Sequence, residues 1–195
     1  MKARLTLLFL ASLVLLCERT PAQPYKIVST GVSVCYNNSM VISCPLSVGD
    51  PFYGQFSGTN LPSYQSSPAT MVTDMVTGLI WQRSPDQNGN NDGYITKADK
   101  LTWPQIQSRV ASLNASAWGG YSDWRIPSIK ELYSLTNWNG TDPSGYTGTS
   151  TSVFTPYIDT AFFQFAYGDQ SAGERMIDSQ YASSDLYNES GFSGS

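Results

Sequence analysis

Read for polarity along the chain, the first apolar stretch is Leu5–Leu16, preceded by Lys2 and Arg4. A run of that length behind a basic start suits the apolar region of an export signal and is too short to span a bilayer. Thr20 and Ala22 place small residues at the −3 and −1 positions, so cleavage is expected between Ala22 and Gln23. A lipoprotein signal through Cys17 is the alternative, with Leu16 standing where a small residue is usual. Next, Val32–Tyr36 and Met40–Ser43 predict a hairpin with Asn37-Asn38-Ser39 at its tip. Residues 45–70 carry neither a strand nor a helix period and read as a connector onto which Phe52, Tyr53, Phe56 and Tyr64 can pack.

Regular order resumes at Met71. Met71-Val72-Thr73 and Leu79-Ile80-Trp81-Gln82 read as short strands joined by the turn Asp74 to Gly78. After a polar loop, Thr102 caps a predicted helix in which Trp103, Ile106, Val110 and Leu113 form one stripe and Pro104 sits in the first turn. Ser128 with Glu131 three residues on is a capping box for a second helix, whose buried stripe is Ile129, Leu132 and Leu135. Trp81, Trp103 and Trp124 are expected in the core. Beyond Thr136 the chain is loop-rich, with short apolar runs at Ala161–Tyr167, Met176–Ile177 and Tyr181–Ala182. Two short helices among short strands and long loops describe an α+β domain. The expected organisation is a signal over 1–22, a stapled hairpin and connector over 23–69, and a domain over 70–195.

Composition narrows the chemistry. The 195 residues include no histidine, which excludes Ser-His-Asp and Cys-His nucleophile pairs and histidine-ligated zinc. Loss of residues 1–22 removes Lys2, Arg4, Arg19 and Glu18, moving the formal charge from −4 to −6. An acidic chain lacks the basic footprint that nucleic-acid phosphates require. Of three cysteines, Cys17 leaves with the signal, and Cys35 and Cys44 remain to close the hairpin as a disulfide.

Several stretches taken in order resemble the Lcl C-terminal domain family. They are Val72-Thr73-Asp74 with Thr77-Gly78-Leu79-Ile80-Trp81-Gln82, Gly119-Gly120-Tyr121-Ser122-Asp123-Trp124-Arg125-Ile126-Pro127, and Lys130-Glu131-Leu132-Tyr133-Ser134-Leu135. Phe165 through Ser184 is similar to the family's later part, and the Cys35–Cys44 hairpin with Phe52-Tyr53-Gly54-Gln55 to the segment that often precedes it. The resemblance implies a C-type-lectin-like fold, a secreted or surface location and, for the family's namesake, adhesion to glycosaminoglycan-like sugars. Members often pair a cysteine of the first helix with one in a final strand. Val110 stands near that helix position and no such strand precedes Ser195, so the expectation is a member lacking the family's C-terminal end.

The most specific chemical motif runs from Asn88 to Asp99. On a twelve-residue calcium loop it places Asn88, Asn90, Asp92, Thr96 and Asp99 at the side-chain ligand positions, the Tyr94 carbonyl at the backbone position and Gly93 at the sharp turn. This resembles the dockerin variant, with Asp86 close by and few charges, hence weak binding. The competing reading is an Asn/Gly-rich turn that binds nothing, and Pro104 argues against a full EF-hand. Trp118, Tyr121, Trp138 and Tyr146 lie in or beside glycine-rich loops that can present rings to a sugar, whereas most aromatics of such a domain fill its core. Arg125 is expected to pair with Asp123 or Glu131, or to reach a loop carbonyl, as a structural corner, the functional alternative being an anion ligand.

These readings favour an exported, non-catalytic binding module for a glycan or another cell-surface ligand, calcium-stabilised if the loop is filled. The alternatives are a glycoside hydrolase working through carboxylates alone and a structural surface subunit that buries its loop aromatics in a homo-oligomer.

Overall fold

The computed structural model describes residues 26–44, 47, 49, 52, 60–66, 68–88, 91–178 and 181–185. The expected signal over 1–22 and Asn90 of the acidic loop lie outside the described residues.

The hairpin forms as β1 (Cys35–Tyr36) against β2 (Val41–Ile42), antiparallel, with Cys35 opposite Ile42. Asn37 makes its tip: the side-chain oxygen accepts from the amides of Ser39 and Met40 at 2.9 and 2.8 Å. The Cys35–Cys44 disulfide closes it over a Cα separation of 5.7 Å. Asn139 binds the preceding segment with one side chain. Its oxygen accepts from the Ser33 amide and hydroxyl, both at 3.0 Å, and its nitrogen donates to the Gly31 carbonyl at 3.1 Å.

A second sheet orders β3 (Tyr64–Gln65), β4 (Met71–Asp74) and β5 (Ile80–Gln82) as an antiparallel meander, with Val72 opposite Trp81. The central strand is the core strand, with Met71 and Val72 buried. Asp74 ends it and is buried too, its carboxylate accepting from the Val76 and Thr77 amides and the Thr77 hydroxyl. Gly78, at φ +78°, lets the turn close. β3 lies inside the expected irregular connector; it has only two residues, and its order comes from backbone pairing with Thr73 and Asp74 rather than from any side-chain period. Tyr64 packs its ring on Phe162 and Phe163, at centroid distances of 5.6 and 5.3 Å.

Helix α1 (Trp103–Ala115) starts at Thr102, with Gln105 returning to the cap backbone at 2.8 Å. Helix α2 (Ile129–Ser134) starts at Ser128 in the expected box with Glu131. Two stripe positions depart from expectation: Trp103 and Ile129 are exposed. Each is the first residue of its helix, where the apolar stripe has already passed the edge of the core. Leu113 is buried near the far end of α1, and Asn114 joins that end to Trp124 by two hydrogen bonds of 2.9 and 2.7 Å. The apolar runs after residue 160 form turns and extended segments, not strands. They are tied down by Gln164 N–H to the Arg83 carbonyl and by the Arg83 side chain to the Phe162 carbonyl, both at 3.0 Å. Among the described residues, no helix is long and apolar enough to cross a membrane. Among the described residues the fold is mixed, with two α-helices, small antiparallel sheets and the Cys35–Cys44 disulfide.

Candidate functional site

The strand-to-helix corner positions one face of the molecule. Arg125 pairs with Glu131 through both carboxylate oxygens, with Nη1 donating to Oε2 at 2.8 Å and Nη2 donating to Oε1. The same Oε2 accepts from the Ser128 amide and hydroxyl at 2.8 and 2.9 Å. Hydrogen bonds from Arg125 first, and from Ser128 next, hold the Glu131 carboxyl down at about 2, well below the usual carboxylate range. Of the partners expected for Arg125, the structure shows Glu131. Asp185 adds its carboxylate to the Ile129 amide, and the Ser184 amide donates to the Pro127 carbonyl at 2.7 Å.

This corner fixes α2, and α2 presents Tyr133 outward. Tyr133 is 57% exposed and Trp138 47% exposed, with ring centroids 6.4 Å apart and planes inclined at 38°. The loop carrying Trp138 is braced on both sides. Asn137 donates from its amide to the Tyr157 carbonyl at 2.8 Å and from its side chain to the Pro156 carbonyl at 3.1 Å. Asn139, one residue on, holds the segment leading into the disulfide hairpin. Gly140 leaves room for the Tyr157 ring, which a Cβ there would meet at 2.4 Å. Two large rings thus stand in solvent on an anchored backbone, an arrangement suited to stacking on an apolar ligand face.

The other ring candidates fall elsewhere. Trp118 is half-buried, its ring 5.0 Å from that of Trp124 and its carbonyl accepting from the Trp124 indole at 3.0 Å. Tyr121 sets its edge on the same Trp124 at 6.1 Å, and Tyr146 meets Phe154 at 4.8 Å. Trp118 thus braces the turn at Gly119, where a Cβ would strike Met71 at 2.6 Å. Of the four candidate ligand rings the structure sets Trp138 beside a new partner, Tyr133, gathers Trp118 and Tyr121 around Trp124, and packs Tyr146 on Phe154. Tyr133 carried a signal in the sequence: an aromatic next to Leu132, off the stripe of a capped helix.

The loop from Asn88 to Asp99 is organised from a residue just outside it. Asp86, buried at 3% exposure in the 3-10 turn Pro85–Asn88, accepts from the Asp92 and Gly93 amides at 3.1 and 2.9 Å. The glycine amide is therefore clasped by Asp86, not by Asn88, whose oxygen accepts from Gln82 at 2.9 Å. Asp92 accepts from the Tyr94 amide at 2.9 Å, and Tyr94 stands in solvent. Thr96 caps the turn Lys97–Asp99, and Asp99 Oδ2 accepts from the Thr96 amide at 2.7 Å and hydroxyl at 3.1 Å. Among the described residues, no three acidic or thiol side chains come together as a metal-holding group.

The family model of the Lcl C-terminal domain matches the chain over residues 70–190. No curated protein and no solved structure matches the chain significantly.

Proposed function

The chain belongs to the Lcl C-terminal domain family, and we propose that it is an exported, non-catalytic module that binds glycans through the paired rings of Tyr133 and Trp138. The observation that carries this reading is the exposure of both rings on a braced backbone. Exposed aromatic surface is costly in water and is recovered when a pyranose lays its C–H face on it. The 38° inclination makes the pair a shallow cradle rather than a flat plate. A disulfide fits an oxidising, extracytoplasmic setting. A C-type-lectin-like arrangement belongs to the same reading and is compatible with small sheets, two helices and long loops.

Long-range charge works against anionic polymers. With cleavage after Ala22 the net charge is −6, so a preferred glycan is neutral or held through local contacts. Lys130 lies three residues before Tyr133 on α2, close enough to add one such contact.

The test is a glycan array followed by titration of the strongest binder with the chain, Trp138→Ala and Trp118→Ala. Trp138→Ala is expected to weaken binding at least about tenfold, about 1.4 kcal/mol, as truncation of an aromatic anchor does. Trp118→Ala should lower stability through lost packing on Trp124 while binding persists in the folded fraction. Equal affinity of the chain and Trp138→Ala for every glycan bound would refute the assignment of this face.

A further inference from the structure

Two carboxylates are almost completely enclosed on turns that pack against each other. Asp86 is 3% exposed in the turn Pro85–Asn88, and Asp99 is 2% exposed in the turn Lys97–Asp99. Neither makes an ion pair with the lysines or arginines among the described residues. An ionised carboxylate taken out of water costs several kcal/mol unless hydrogen bonds and an opposite charge replace its solvation. Asp86 has replaced part of it, since both of its oxygens accept loop amides. Asp99 has not. Its Oδ2 takes both bonds from Thr96, while its Oδ1 is buried with no hydrogen-bond partner.

We propose that this junction holds one calcium ion, anchored by Asp99 Oδ1, with Asp86 as the second carboxylate. A hard cation with oxygen preference supplies the missing charge and fills the orphan lone pairs at one stroke. Asn88, on the same turn as Asp86, carries a further side-chain oxygen, which accepts from Gln82 at 2.9 Å. Between the turns, Asn91 at φ +53° and Gly93 at φ +94° take the left-handed conformation that reverses a chain. Two carboxylates and neutral oxygens make a weak site, of the millimolar kind that extracellular modules use. The ion joins the segment after β5 to the segment before α1, so its effect is on stability. The competing occupant is the Arg109 guanidinium, whose Nη2 donates to the Gln87 carbonyl and whose Nε is also buried without a partner. Neither orphan atom reaches the other within hydrogen-bond distance.

Thermal melting of the chain and of Asp99→Asn, each in chelator, in calcium chloride and in magnesium chloride, separates the two accounts. With a millimolar dissociation constant, about 10 mM calcium multiplies the folding equilibrium about elevenfold. The expected rise in melting temperature is about 2–6 °C, with a smaller rise in magnesium. In chelator Asp99→Asn should melt at or above the parent, because it removes an uncompensated buried charge, and calcium should no longer shift it. Identical melting of the parent in calcium and chelator overturns the proposal. So does an Asp99→Asn variant that keeps the calcium shift, or one that melts below the parent in chelator, the result a water-bridged Arg109 pair would give. If Asp99→Asn does not fold, isothermal titration of the parent with calcium chloride decides, absence of binding refuting the site.

Discussion

Replacing Glu131 by Gln tests whether the corner at Arg125, Ser128 and Glu131 holds the ring-bearing face in place. Glutamine keeps the helix-capping geometry, since it still reaches back to the Ser128 amide. What it loses is the charge that takes two hydrogen bonds from Arg125 and two from Ser128. The carboxyl is held at about 2 in the folded chain against its ordinary 4.5. That difference is worth at most about 3.4 kcal/mol, at about 1.36 kcal/mol per pH unit. The Glu131 side chain is only 13% exposed, but that of Arg125 is 58% exposed. Solvent therefore screens the Arg125 share, and about 1.5–2 kcal/mol is the expected loss in Glu131→Gln at neutral pH.

The sign follows from the direction of the shift. A carboxyl depressed on folding stabilises the fold fully above its unfolded value of about 4.5, and that contribution fades as pH falls towards the folded value of about 2. Urea unfolding of both proteins at steps from pH 6 to pH 2 should therefore give curves that differ most at pH 6 and converge near pH 2. A difference that stays constant across that range, or one below about 0.5 kcal/mol at pH 6, would refute the network as a source of stability. Because the folded carboxyl keeps its charge down to about pH 2, glycan affinity of the folded chain should hold through the window in which stability is lost.

Two further perturbations have magnitudes set by geometry. Replacing Cys35 and Cys44 by serine opens a loop of sequence separation 9 and should cost about 2–3 kcal/mol in chemical denaturation; an unchanged midpoint would show that the hairpin adds nothing to the cooperative unit. In Gly168→Ala, the new Cβ would lie 1.9 Å from the Arg175 carbonyl oxygen, a backbone atom that cannot swing aside, so the bond from Gly168 N–H to the Met176 carbonyl must open. A loss of about 2 kcal/mol or more in unfolding free energy is expected, and a variant of parental stability would contradict the close approach.

The parts of the fold that were legible share a local cause. Thr102 with Pro104 in the first turn, and Ser128 with Glu131, announce helix starts because these signals lie within four residues of one another. The strands at Met71 and Ile80 were legible because the Asp74–Gly78 turn carries its own signals, an Asx acceptor and a glycine at positive φ. What stayed hidden was set by distant partners. Tyr64 and Gln65 form a strand because Asp74 and Thr73 offer free backbone groups, a property of the neighbour that no pattern within residues 60–66 records. Trp103 and Ile129 continue their stripes in sequence, yet each begins its helix where there is no core left to cover it.

The same distinction separates the aromatic candidates and explains why function was less legible than fold. Trp118 and Trp138 look alike in sequence, each a tryptophan within two residues of a glycine in a polar stretch. Trp118 is claimed by Trp124, six residues on, because the Gly119 turn brings its carbonyl to the Trp124 indole. Trp138 finds its ring partner on the outer face of α2, and that partner is itself in solvent. Which ring serves the core and which stays free for a ligand is thus decided by where the second aromatic sits, and the Arg125–Glu131 corner sets that for Tyr133 by fixing α2. Asp86 makes the parallel case in the acidic loop. The calcium-loop register starts at Asn88, yet the Gly93 amide is held by Asp86, two residues earlier, a carboxylate being a stronger acceptor than a neutral amide.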